Sequence, residues 1–191
     1  MSRPAAVPAP SDRTADAALW TAIGAVCALF VIRPSFAGHP WASEALLAAY
    51  LLIGIVAALA PVPAGIPTSF GVVPVTLIGV AAVLLATSAA GPSFPLPRTI
   101  EILALNTVAA ISEELFFRRF LFGGLVRYGA VAAVFGSAAL FALVHIPIYG
   151  TAALPVDLGA GLLFSWQRWA SGGWGASAAT HVFANLVAVV R

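Results

Sequence analysis

The chain has 191 residues, of which 61% are hydrophobic and only 8% charged, and its mean hydropathy is +1.02. Water-soluble domains carry about 25% charged residues, so a water-facing globular surface is excluded and an all-α, polytopic transmembrane helical bundle of about seven spans is implied. The net charge of +2 comes with no lysine and no basic stripe, which argues against nucleic acid as a partner and leaves the lipid bilayer as the surrounding medium. The single cysteine, Cys27, excludes an intrachain disulfide and a cysteine-rich zinc site, and reads as a small buried thiol.

Residues 1–16 are rich in Ala and Pro, carry Arg3 and Arg13, and read as a disordered tail. Residues 17–32 have the length of a signal-peptide core. However, Phe36-Ala37-Gly38-His39 is a poor cleavage site and further apolar runs follow, so a retained first helix is expected. On a ruler of about 20 apolar residues per crossing, the later spans fall at 43–60, 71–90, 99–122, 129–146, 154–169 and 174–190. Pro/Gly-rich breaks at 61–67 and 91–97, His145-Ile146-Pro147 and Ser171-Gly172-Gly173 punctuate them. Ser43 with Glu44 predicts a capped helix start, and Pro74 falls in a first turn, where its missing N–H is harmless.

The apolar part shows no fixed-period repeat and reads as one bundle. It divides into motif-free helices over 17–98 and a motif-bearing core over 99–191. With the amino terminus inside, Arg3, Arg13, Arg118, Arg119, Arg127 and Arg168 lie on the inner side, and Arg33, Arg98 and Arg191 on the outer. That excess predicts a cytoplasmic amino terminus in a multi-pass protein of the cell membrane.

The polar residues inside the spans carry the functional signal, because an ionised side chain at the bilayer centre costs at least ~2.5–3.5 kcal/mol. In Ser112-Glu113-Glu114-Leu115-Phe116-Phe117-Arg118-Arg119, Glu114 and Arg118 are four apart, share a helix face and can neutralise each other. Glu113 is turned from them by about 100°, which makes Glu114 the structural acid and leaves Glu113 free to act. His145 ends the fifth span, four residues after Phe141. A histidine on an apolar face commonly serves packing, but inside a membrane an ionisable group tends to mark a working site. His181 and Asn185 converge from one face of the last span, either as donors to a developing oxyanion or as interhelical hydrogen-bonding groups.

Together these groups suggest hydrolysis by a water whose proton passes to a carboxylate and an imidazole. Asn106 lies two turns before Glu113 and suits packing or the edge of the site. Cys27 is far from the motifs and Ser112 lacks a nucleophile-elbow context. His39, Glu101 and Asp157 read as helix-start or loop residues.

Glu113-Glu114-Leu115-Phe116-Phe117-Arg118 resembles the EExxxR motif of the CAAX-protease and bacteriocin-processing family (CPBP, or Abi). Phe141-Ala142-Leu143-Val144-His145 resembles that family's FxxxH motif, and His181-Val182-Phe183-Ala184-Asn185 its HxxxN motif, in the same order over roughly residues 99–190. The resemblance implies an intramembrane endopeptidase acting on a protein or peptide substrate at the membrane. It implies Glu113 and His145 as the water-activating pair, His181 and Asn185 as the oxyanion hole, and Glu114 and Arg118 in support. The family is often catalogued with metalloproteases, but a metal-free glutamate mechanism suits these residues as well and no cofactor is expected, while a His₂Glu zinc site from His145, His181 and Glu113 is chemically possible. Arg119 departs from the glycine that many members have after the arginine. Two rivals stand beside this reading: a non-catalytic bacteriocin-immunity or scaffold protein of the same fold, and a proton-coupled carrier, against which the lack of paired repeats counts.

Overall fold

The structure is a computed structural model that describes residues 12–62, 70–89 and 100–190. The expected tail as far as residue 11 and most of the two Pro/Gly-rich breaks, at 63–69 and 90–99, lie outside the described residues. Helix α1 spans Asp12–Ile32 and passes into a 3₁₀ turn, Arg33–Phe36. Helices α2 (Ala42–Leu59) and α3 (Val72–Ala89) follow. Helix α4 (Ile100–Glu114) runs without a break through a π-helical stretch, Leu115–Leu121, into the short α5 (Phe122–Leu125). The chain then forms α6 (Ala130–Tyr149), α7 (Leu154–Ser171) and α8 (Gly175–Val190). With α4 through α5 taken as one rod, seven helical rods stand where seven spans were expected, and no strand occurs among the described residues.

Four of these helices are long and apolar enough to cross a membrane: Leu19–Phe36, Ala42–Leu59, Val72–Ala89 and Ala130–Tyr149. Only 11% of the Val72–Ala89 window and 22% of the Ala42–Leu59 window are buried within the protein. Their outward residues, among them Leu52, Ile55, Val73, Leu77 and Leu85, are exposed and apolar, which in a soluble protein would be an aggregation surface and here suits lipid. The remaining rods fall short for a physical reason. The α4–α5 rod carries Glu113, Glu114, Arg118 and Arg119, α7 carries Asp157 and Arg168, and α8 has 16 residues.

Four local expectations change. The first turns of α1 begin at Asp12, inside the stretch read as tail. Helix α2 starts with Trp41 at its cap position and no side-chain cap, so Ser43 lies within the helix, while Glu44 does sit in the first turn. Pro147 does not end its helix: α6 continues to Tyr149 and stops at Gly150, whose φ of 77° only glycine adopts cheaply. Finally, Arg118 and Arg168, counted on the inner side, are buried among the helices, so two of the six inner charges drop out of the orientation count.

Helix α4 lies between α2 and α8, α6 pairs with α7, α3 packs on α7 and α8, and α1 packs on α6. Phe30, Phe116, Phe117, Phe141 and Phe164 form the aromatic centre of the core. Phe117 and Phe141 meet edge to face with centroids 5.3 Å apart, as do Phe141 and Phe164 at 6.2 Å, the geometry that ring quadrupoles favour. Small residues let the helices approach closely. A Cβ on Gly161 of α7 would lie 2.9 Å from the Ala138 carbonyl oxygen and 3.0 Å from its Cα on α6. Those are backbone atoms and cannot swing aside.

Gly161→Ala is therefore expected to destabilise the fold by about 1–3 kcal/mol through overpacking. Gly159→Ala, which meets nothing within 4 Å, is expected to be neutral or stabilising by up to about 1 kcal/mol. Thermal melting of both variants in detergent checks the pair, and equal losses would count against the close α6–α7 contact.

Candidate active site

Two adjacent acids on one helix can serve different centres because consecutive side chains diverge. Glu114 is fully buried and its Oε1 lies 3.0 Å from Nη1 of Arg118, which is also fully buried. The guanidinium donates again through Nη2 to the Gly161 carbonyl at 3.3 Å. It also stands over three rings, with centroids at 4.4 Å for Phe141, 5.2 Å for Phe164 and 5.6 Å for Phe117, where the π faces favour a cation. His181 Nδ1 lies 3.0 Å from the same Glu114 oxygen. A carboxylate already held by arginine can only accept, so Nδ1 carries the hydrogen.

The π-helical stretch directly follows the two acids. Its wide turn shows in the Phe122 N–H, which reaches back five residues to the Phe117 carbonyl. Neighbouring helices complete the loosened backbone: the Ser137 hydroxyl donates to the Phe117 carbonyl at 2.8 Å, and Arg168 Nε to the Arg118 carbonyl at 3.0 Å. Arg119 points away from the acids and donates to the Ala57 and Ala60 carbonyls at the end of α2.

Glu113 turns to the other side. Its Oε2 is 3.8 Å from Nε2 of His145 and 3.8 Å from Nε2 of His181. His145 Nδ1 lies 2.6 Å from the Phe141 carbonyl, which can only accept. With one hydrogen each, both histidines carry it on Nδ1 and turn Nε2 to the same carboxylate oxygen. Direct hydrogen bonds are ruled out, since 3.8 Å is too long. A water, which brings two hydrogens, is the species that fits between them. The rings are held by packing: Phe164 stacks on His181 at 4.8 Å between centroids, and Tyr149 on His145 at 5.8 Å.

These groups open onto a cavity of about 310 Å³, which Asn106 and Asn185 also line. Asn185 Nδ2 donates to the Asn106 carbonyl at 3.2 Å, and the Asn106 side chain donates to Ile102 of its own helix at 2.8 Å. One Asn185 hydrogen is therefore committed and its second is not. Among the described residues, no group of three or more His, Cys, Asp or Glu is disposed to hold a metal ion. The two separations of 3.8 Å from Glu113 Oε2 to His145 and His181 Nε2 exceed the roughly 3.3 Å between two tetrahedral zinc ligands at about 2.0–2.1 Å. As placed, these donors do not fit zinc.

Every residue expected at the site on the acid–arginine–histidine side is thus brought together, with Asn185 at the cavity wall. Sequence reasoning missed Arg33, Tyr50 and Tyr149, and it read Asp157 as a helix-start residue although it also lines the cavity. Arg33, Tyr149 and Asp157 signalled only polarity near the end of an apolar run, and Tyr50 a single hydroxyl within one, which does not mark a cavity wall.

Residues 95–187 match the family described as type II CAAX prenyl endopeptidase Rce1-like. This segment is similar to that family. The match spans just under half of the 191 residues and covers all three motifs, in agreement with the resemblance read from them. No curated protein and no solved structure matches the chain. With its apolar helices, the chain is a CAAX-protease-like, multi-pass membrane protein.

Because Arg118 neutralises Glu114 where no water reaches, Arg118→Ala is expected to destabilise the Rce1-like core by about 3–5 kcal/mol. Glu113→Ala, which removes an acid that makes no ion pair closer than 3.8 Å, is expected to cost less. Detergent melts of the two variants decide it, and comparable losses would contradict this division of roles.

Proposed function

We propose that this protein is an intramembrane endopeptidase that hydrolyses a peptide bond of a membrane-associated protein or peptide, in the manner of a CAAX prenyl protease. Glu113 and His145 hold and deprotonate a water. Its oxygen attacks the peptide carbonyl carbon while its proton passes to Glu113. The tetrahedral oxyanion is met by the uncommitted Asn185 N–H and by His181, whose Nε2 donates only after it has taken up a proton. Glu113 then returns its proton to the leaving amide nitrogen as the C–N bond breaks. Glu114 and Arg118 support the site by fixing the tautomer and ring plane of His181. The protein resides in the cell membrane with its amino terminus in the cytoplasm.

The observation that carries this reading is the spacing of three acceptors, Glu113 Oε2 and two imidazole Nε2 atoms at 3.8 Å, around one point on a polar cavity. Acceptors alone around a water draw on both of its hydrogens and raise the electron density of the attacking oxygen. Nothing there requires a metal, and the catalysts are fixed before the substrate arrives.

Glu113→Gln keeps the shape and removes the base. It is expected to lower cleavage by at least about 100-fold while the protein inserts and melts like the parent. Comparative proteomics of membrane and secreted peptides, from cells carrying parent or variant, supplies the readout, and equal cleavage by both would refute the reading. A chelator added to the same assay is expected to leave the rate unchanged. A loss restored by zinc would replace the metal-free step.

A further inference from the structure

The amino-terminal half, outside the family match, also reaches the cavity. Arg33 stands at the end of α1 and Tyr50 in the middle of α2, and both line the wall beside Glu113. Arg33 Nη1 lies 2.7 Å from the Tyr50 hydroxyl. A guanidinium has only hydrogens to offer, so the tyrosine oxygen must accept. Its one hydrogen is then free for another acceptor, and the Glu113 carboxylate lines the same cavity. Tyr50 itself is 4% exposed and meets Phe30 edge to face with centroids 6.3 Å apart, so its ring cannot swing away. Tyr149, stacked on His145, lines the same wall.

We propose that Arg33 and Tyr50 are positioning residues for Glu113, forming a relay in which the guanidinium turns the tyrosine hydroxyl onto the carboxylate and fixes the other carboxylate oxygen between the two imidazoles. The carboxylate needs such a holder. Its Oε2 contacts are both acceptors at 3.8 Å, which repel rather than orient it, while the Arg118 bond that anchors its neighbour goes to Glu114. The Arg33–Tyr50 pair supplies the missing donor from a different part of the chain. The relay rests on the reading of Glu113 as the water-activating group.

Tyr50→Phe and Arg33→Ala are each expected to lower kcat about tenfold, with KM within about twofold of the parent. The double variant is expected to be no slower than either alone, because both act through one hydrogen bond. Arg33→Lys, which keeps a donor, is expected to recover most of the loss. A pair that merely pins α1 to α2 would lower the melting temperature and leave kcat unchanged. That outcome, or additive losses in the double variant, would overturn the relay.

An infrared measurement needs no substrate and separates the relay from the protease reading. The carboxyl band assigned by its loss in Glu113→Gln is expected to shift in Tyr50→Phe, and an unshifted band overturns the relay even if cleavage is confirmed. If the band shifts but the parent cleaves nothing, the relay stands and the endopeptidase reading falls.

Discussion

One carboxylate oxygen, Oε1 of Glu114, ties the bundle together. It accepts from Arg118 one turn along its own helix and from His181 on α8, each at 3.0 Å, with the acid and the arginine wholly out of contact with solvent. Isolated in an apolar interior, either charge would cost several kcal/mol even after relaxation. The pair is therefore tolerable only with close partners, and those it has shape the surroundings, although Glu114 Oε2 and Arg118 Nε are buried without one. The Gly161 carbonyl must face the guanidinium, which holds α7 at the distance that only a residue without a side chain allows. Three phenylalanine rings close around the cation. Such a knot says little for net stability, because a well-packed apolar substitute does as well. What it specifies is geometry: α4, α7 and α8 can meet in one register only.

The π-helical stretch is the second constraint, and it follows from the first. A regular α-helix through Leu115–Leu121 would bond each N–H four residues back and leave its carbonyls fully used. With the wider turn seen here, the Phe117 carbonyl takes the Ser137 hydroxyl beside the Phe122 N–H, and the Arg118 carbonyl takes Arg168 Nε. Arg168 is buried without an acid of its own, and that carbonyl bond accounts for its place in the interior. Such single wide turns concentrate at functional sites, and this one begins at the residue after Glu114.

What could be read from the sequence followed from spacing within a helix. Glu114 with Arg118, Phe141 with His145 and His181 with Asn185 are each four apart, and residues four apart share a face whatever the tertiary structure does. The division of labour between Glu113 and Glu114 was legible for the same reason. The number of helical rods came from the lengths of apolar runs, which the bilayer fixes. Illegible features depend on partners distant in sequence. Pro147 reads as a stop because the sequence does not reveal that the helix needs only two more residues before Gly150. Arg168 and Arg118 count toward the inner side because a charge tally does not see how deep a side chain lies. Ser43 reads as a cap because the true start is set one residue earlier, by the turn around Trp41. The wide turn after Glu114 has no signature in composition.

Tyr50 and Arg33 are the sharpest instance of this limit. Neither lies in a motif, and 63 residues separate Tyr50 from Glu113. Both come from the helices whose other faces are mostly exposed to lipid, and an apolar span needs few specific residues to stay in a bilayer. A polar group on such a span is therefore informative once the bundle has closed, since it persists inside only where another polar group answers it. Applied to the described part of the cavity, that rule pairs Arg33 with Tyr50, Asn185 with the Asn106 backbone, and the two histidines with Phe141 and Glu114. Around Glu113 the groups left over are the two Nε2 atoms and the facing carboxylate oxygen, while the second Asn185 hydrogen and Asp157 stand along the same wall. A site whose remaining demand is for hydrogens is one that water can fill.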